Sequence, residues 1–147
     1  MEISDAPGAY ALRLQPGDDL RGALESRARS LPISAAGIVS VVGSLTAARI
    51  RMAGAESLRS LEGPLEILTL SGTVGAGGAH LHMMVADSEG HCVGGHVARG
   101  CIVHTTVELV LLLLPGLRFE RRLDSTTGYP ELAIEGAEDG TRTPPDV

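Results

Sequence analysis

The sequence predicts an α+β fold, with one principal N-terminal helix on a mostly antiparallel β-sheet in a single domain. A four-residue apolar repeat occurs once, near the N-terminus. From Ser34 onward the pattern is β-like, and 147 residues suffice for one domain with a substantial core. Residues 1–134 are expected to form the domain, and 135–147, charged and Pro-containing, a flexible tail.

Residues 1–7 read as a loose lead-in. Ala9 to Gln15 alternates Tyr10, Leu12 and Leu14 against Ala11 and Arg13, a strand that Pro16-Gly17 stops. Asp18 or Asp19 can cap a helix to about Ser30, whose Leu20, Leu24 and Ala28 share a stripe, and Pro32 ends it. Ala36 to Val42 reads as a β-branched strand buried on both faces and closed by Gly43-Ser44, with Leu45 to Met52 as its hairpin partner. Ala53 to Glu62 reads as polar connection and Leu65 to Val74 as the next strand. The Gly75-Ala76-Gly77-Gly78 loop is followed by neither a helix nor a lysine, so it reads as a turn between strands, not a phosphate cradle. Cys101 to Leu114 fits a long strand or one that includes a short helix. Leu117 to Leu123 is a last main strand, and Glu131 to Ile134 can pair briefly.

Hydrophobic residues make up 44% of the chain, yet Tyr10, Phe119 and Tyr129 are its only aromatics, so stacking platforms for bases are lacking. A net charge of -6 argues against a non-specific grip on nucleic-acid phosphate. The basic residues are scattered, the densest group being Arg118, Arg121 and Arg122. Cys92 and Cys101 lack CxxC spacing and read as reduced thiols of a cytoplasmic protein. The longest apolar run, Leu109 to Leu114, is too short to span a bilayer and no signal-peptide pattern precedes it, so no membrane association is expected.

All five histidines fall between Gly75 and Glu108. His80 and His82, two apart on a strand, aim their imidazoles out of one face, about 7 Å apart. His96 follows Gly94-Gly95 on the next strand. If Ser88-Glu89-Gly90 is a three-residue loop with Gly90 left-handed, Asp87 lies opposite His91 and His82 opposite His96. All three imidazoles then share a face, whereas a loop one residue shorter or longer sends His96 to the other side. Three convergent neutral imidazoles are the ligand set of an open metal site with a fourth position for water or substrate. They suit several divalent transition metals, with zinc the default. The same register puts Gly95, next to Gly94, beside the cluster, where a missing side chain leaves room for a ligand. The plainer alternative is a solvated strand face, or histidines hydrogen-bonded within a subunit interface.

Several of these stretches together resemble the plant and prokaryote conserved (PPC) domain, whose prokaryotic members are of unknown function and often labelled DNA-binding. The resemblance runs from Leu14-Gln15-Pro16-Gly17-Asp18-Asp19 through Val42-Gly43-Ser44-Leu45 and Leu65-Glu66-Ile67-Leu68-Thr69-Leu70-Ser71-Gly72. It continues through His80-Leu81-His82, Gly94-Gly95-His96 and Thr105-Thr106-Val107-Glu108 to Phe119-Glu120-Arg121-Arg122-Leu123-Asp124 and Thr127-Gly128-Tyr129. It implies a homotrimer and, in members that keep the histidines, a bound transition metal. The plant relatives carry separate AT-hook segments with an R-G-R-P core, which this sequence does not contain.

Three functions follow. The first is a trimeric module with a metal on His80, His82 and His96, an unknown small-molecule ligand and no assigned activity. The second is a metal-dependent hydrolase or lyase, with Glu108 and Asp87 as proton-transfer candidates but no nucleophile triad. The third is a DNA-associated regulator, which needs a basic face assembled across subunits. Glu108 stands inside V-E-L-V-L-L-L-L, so it is expected to be partly buried and paired. It could orient a ligand imidazole, serve as a base, or form a salt bridge to an arginine such as Arg99. His91 and His104 read as ordinary histidines.

Overall fold

The computed structural model describes residues 8–31 and 33–136. The lead-in at 1–7, Pro32 and the tail from 137 onward lie outside the described residues. The elements are β1 (Gly8–Leu14), α1 (Leu20–Ser30), β2 (Ala35–Arg51), β3 (Leu58–Gly75), β4 (Gly78–Ala86), β5 (Cys92–Val97), β6 (Ile102–Leu113), β7 (Leu117–Leu123) and β8 (Pro130–Gly136). The α+β architecture is therefore as expected: among the described residues there is one helix, and the strands pair antiparallel throughout.

Asp19 caps α1, its carboxylate accepting the Gly22 N–H at 2.7 Å. Leu20, Leu24 and Ala28 are buried where the helix packs on β3, β4 and β6. Truncating a side chain as enclosed as Leu24 costs about 2–5 kcal/mol. Glu25 shares that inner face, and its carboxylate accepts from Arg21 Nε at 2.9 Å and pairs with Arg99. Arg21 also donates to the Val97 carbonyl at 3.0 Å, tying the helix to the end of β5. The Arg99 suggested for Glu108 is thus Glu25's partner.

The expected hairpin between Ala36–Val42 and Leu45–Met52 is absent, because β2 runs unbroken through Gly43-Ser44. Glycine is needed there for a close approach: a Cβ at Gly43 would lie 2.3 Å from the Thr106 carbonyl oxygen, and the β2–β6 register shifts at this point. Nor is the first half of β2 buried on both faces, since Val39 is 62% and Val42 64% exposed. The partner of β2 is β3, which begins at Leu58, inside the stretch expected to be connection. That part of β3 is nearly all exposed and held by its backbone ladder, so it has no apolar period to read. Within Cys101–Leu114 no helix forms and the strand runs Ile102–Leu113, and Glu135 and Gly136, expected in the tail, belong to β8.

The main sheet has the order β1-β6-β2-β3-β4-β5, and it closes on itself because β5 also pairs with the end of β2, Arg51 opposite His96. β7 and β8 form a separate hairpin. Phe119 anchors it, its N–H donating to the Ser34 carbonyl and its carbonyl accepting from Gly77 N–H. Among the described residues, no helix is long and apolar enough to cross a membrane.

Burial alone would raise the Glu25 carboxyl, but the Arg21 hydrogen bond and the charges of Arg21 and Arg99 outweigh it and hold the group below its usual range. The unfolded chain therefore takes up the proton first as pH falls. The contribution is present at neutral pH and is lost as pH drops through the folded value. Glu25→Gln is expected to lower the thermal midpoint at pH 7 and to flatten its decline below pH 4.5, the ordinary value of the group. An acid limb identical to wild type would show that Glu25 carries none of it.

Candidate metal centre

The turn between β4 and β5 decides the geometry of the site. Gly90 has φ +83°, and its N–H donates to the Asp87 carbonyl at 3.0 Å, while the Asp87 N–H donates to the His91 carbonyl at 3.1 Å. The Asp87 carboxylate accepts the N–H groups of Glu89 and His91, both at 2.9 Å. Ser88-Glu89-Gly90 is therefore a three-residue loop, and His82 pairs with His96, the register expected from the sequence. A side chain at Gly90 would meet nothing within 4 Å, so its replacement costs conformation alone. Gly90→Ala is expected to lose about 1 kcal/mol in urea denaturation with the histidine register kept. A loss several times larger would mean that the turn is rebuilt.

Ala79, Leu81, Met83 and Val85 of β4 are buried toward the core, so His80 and His82 leave the opposite face of the sheet. Ser71 of β3, His82, His96 and Arg51 form a row across four strands, and Thr73 stands opposite His80 in the next. The ring centroids are 5.1 Å apart for His80 and His82, 5.0 Å for His80 and His96, and 5.7 Å for His82 and His96. One ring nitrogen from each lies within 4.8 Å of the others. Nitrogen ligands in a tetrahedral zinc shell sit about 3.4 Å apart, so small side-chain rotations close the set.

His80 and His96 are half-buried and His82 is exposed. His96 Nδ1 is buried with no hydrogen-bond partner. Burial, then the charge of Arg121, pushes the His80 pKa down. Burial, then His80 and Arg51, lowers His96 to about 4. Both rings are therefore neutral at pH 7, the form in which an imidazole ligates a cation. The donor set fits a divalent transition metal by chemistry, spacing and protonation. Beside it opens a cavity of about 330 Å³, lined by Ser71, Thr73, His80, His82, Arg121 and Glu131 among others.

The other candidates lie elsewhere. Glu108 is exposed, because Val107 and Leu109 on either side of it point inward and β6 is buried on one face only. It faces Val42 and Arg13, nine residues along β2 from the Arg51 that flanks His96, and so lies away from the imidazoles of its own chain. Asp87 is held in the turn, five residues beyond His82 or about 17 Å along the strand. His91, 73% exposed in its side chain, contacts Asp87 and Glu89, and His104 is exposed on β6. The bareness of Gly95 serves a strand contact, since a Cβ there would lie 2.6 Å from the Arg51 carbonyl oxygen. At Gly94 it would lie 3.1 Å from that of Met83.

Arg121 was not singled out in the sequence as a site residue. Its Nη1 lies 3.3 Å from His80 Nδ1, and its Nη2 donates to Thr73 Oγ1 at 2.9 Å. The available signal was its place two residues after Phe119, on the inward face of a strand. Nothing in the sequence reveals that this hairpin folds over β3 and β4.

Replacing a buried, unpartnered nitrogen by a ring of similar shape removes a polar cost without removing a bond. Metal-free His96→Phe is therefore expected to unfold at a temperature no lower than wild type in calorimetry. A clear drop would show that the nitrogen has a partner.

The class is thus a small antiparallel-sheet domain with three converging imidazoles on its outer face. The profile of the Plants and Prokaryotes Conserved (PCC) domain matches residues 1–115, and the chain belongs to that family. It is 47% identical over 126 residues to a protein of Synechococcus sp. (strain JA-2-3B'a(2-13)) named bifunctional protein GlmU. That match covers 86% of this chain and 20% of the relative, so the chain spans about a fifth of that protein's length. A hypothetical protein from Salmonella cholerae-suis has a similar structure, with TM-score 0.85, 40% identity and coverage of 92% of this chain and 99% of the other. A metal-containing protein from Archaeoglobus fulgidus is similar too, at TM-score 0.76, 30% identity and coverage of 90% and 99%.

Proposed function

We propose that this domain is a homotrimeric metal-binding module that holds a divalent transition metal, zinc by default, on His80, His82 and His96 and leaves a position open to a small molecule. The observation that carries the reading is the mutual approach, within 4.8 Å, of one ring nitrogen from each of His80, His82 and His96. The metal-containing Archaeoglobus fulgidus relative supports it. Held this way, zinc supplies a Lewis acid. The chain's own contribution is to keep His80 and His96 neutral, to fix all three rings in register, and to bring Arg121 and Thr73 beside them. Within one chain Glu108 and Asp87 lie away from the cluster, so neither serves as a proton-transfer group to its own three histidines. The net charge of -6 weighs against a grip on duplex DNA.

Assembly as a trimer is supported by an outer surface that a monomer leaves bare. Val39, Val42 and Leu112 are exposed in the β1–β6–β2 part of the sheet, which explains an apolar run in β6 too continuous for a strand with one solvated face.

Two measurements test these proposals. Untagged protein is expected to carry about one metal per chain in elemental analysis, and a His80→Ala/His96→Ala double variant none; equal content in both removes the site. Light scattering is expected to return three chain masses for wild type and a smaller mass for Val42→Asp. A monomeric wild type would refute the assembly.

A further inference from the structure

We propose that the cavity beside the three histidines recognises a small carboxylate held between Arg121 and the open metal position, with 2-hydroxy and 2-oxo acids as the class that satisfies both. This rests on the metal reading above and deepens it.

Arg121 motivates the proposal. Its guanidinium is partly buried, yet among the described residues no carboxylate oxygen lies within 4.0 Å of it. Its contacts there are Thr73 Oγ1 at 2.9 Å and His80 Nδ1 at 3.3 Å. A guanidinium offers five N–H donors in a planar fork that matches the two oxygens of a carboxylate, and a half-desolvated one normally meets an anion.

Lone-pair arithmetic strengthens the case. A neutral imidazole has one lone pair. If His80 gives it to a metal through Nδ1, Arg121 loses that acceptor directly. If His80 binds through Nε2, Nδ1 carries the proton and cannot accept. Either way, metal loading strips one of the two acceptors from Arg121 and sets a second cation near it. An anion in the cavity between them restores the hydrogen bond and relieves the repulsion.

The cavity selects the anion. About 330 Å³ is at the small end of ligand sites, and Gly72 and Leu132 give it an uncharged wall for a short carbon skeleton. One guanidinium stands there beside the repelling carboxylate of Glu131, an arrangement suited to a monoanion rather than a phosphate dianion. With the carboxylate on Arg121, an oxygen on the adjacent carbon is the atom placed to meet the metal.

Calorimetric titration of zinc-loaded protein with glycolate, acetate and inorganic phosphate tests this, with zinc content measured separately. Glycolate is expected to bind more tightly than acetate or phosphate, and more tightly to zinc-loaded than to metal-free protein. Zinc affinity should rise reciprocally in its presence. Arg121→Met is expected to keep its zinc and weaken glycolate at least about tenfold, and Thr73→Val to weaken it less. Equal glycolate affinity in wild type and Arg121→Met overturns the proposal, as does tighter binding of phosphate. Wild type that holds no zinc would refute the metal reading instead. The anion site is then decided in metal-free ¹⁵N-labelled protein: a shift of the Arg121 Nε–H resonance on adding glycolate supports it, and an unmoved resonance overturns it.

Discussion

The tight turn from Ser88 to Gly90 governs how the outer face of this domain is used. Side chains alternate across a strand, so a change of one residue in that loop would turn His96 into the core and expose the buried Val97 to solvent. The turn resists such a change through a left-handed glycine and a carboxylate that ties two backbone N–H groups, neither of which depends on the histidines. The register is therefore fixed by the same forces that fix the fold. Closure of β5 onto β2 adds a second brace, because His96 faces Arg51 there and cannot swing away with a loose edge.

Around that face the charge is distributed unusually for so acidic a chain. Arg51 and Arg121 flank the imidazoles, and Arg21 adds to the positive potential from beneath the sheet. Together with burial, these cations keep His80 and His96 unprotonated at neutral pH. Arginine suits the task because it never gives up its own charge there. The environment that readies the rings for a cation would also repel one, a conflict that an anion in the adjoining cavity resolves.

Much of this was legible in the sequence, and the exceptions share a cause. The helix, its aspartate cap and stripe, the β7 strand and the histidine register follow from short-range patterns that solvent and core impose directly. Gly43-Ser44 misled because glycine marks both turns and close approaches, and only the neighbouring strand tells them apart. The first residues of β3 were invisible because backbone pairing leaves no apolar period. Glu108 reads as partly buried because a continuous apolar run normally means a strand buried twice. Here one of its faces is bare within a single chain. Arg121 was missed for a different reason, since its partner strand lies 41 residues away in sequence from it at His80.

Foldable sequences satisfy their buried polar groups and pair their charges, and departures tend to gather where a protein does its work. In this domain the inner face departs nowhere of consequence: Glu25, its buried carboxylate, is met by two arginines. The outer face carries a buried imidazole nitrogen with no partner and, at the rim of the same cluster, a half-buried guanidinium with no carboxylate oxygen within 4.0 Å among the described residues. The unpartnered nitrogen costs folding energy that an apolar substitution would recover. A purely structural sheet has no use for both departures side by side, whereas a site that takes a cation on the nitrogens and an anion on the guanidinium explains the two together.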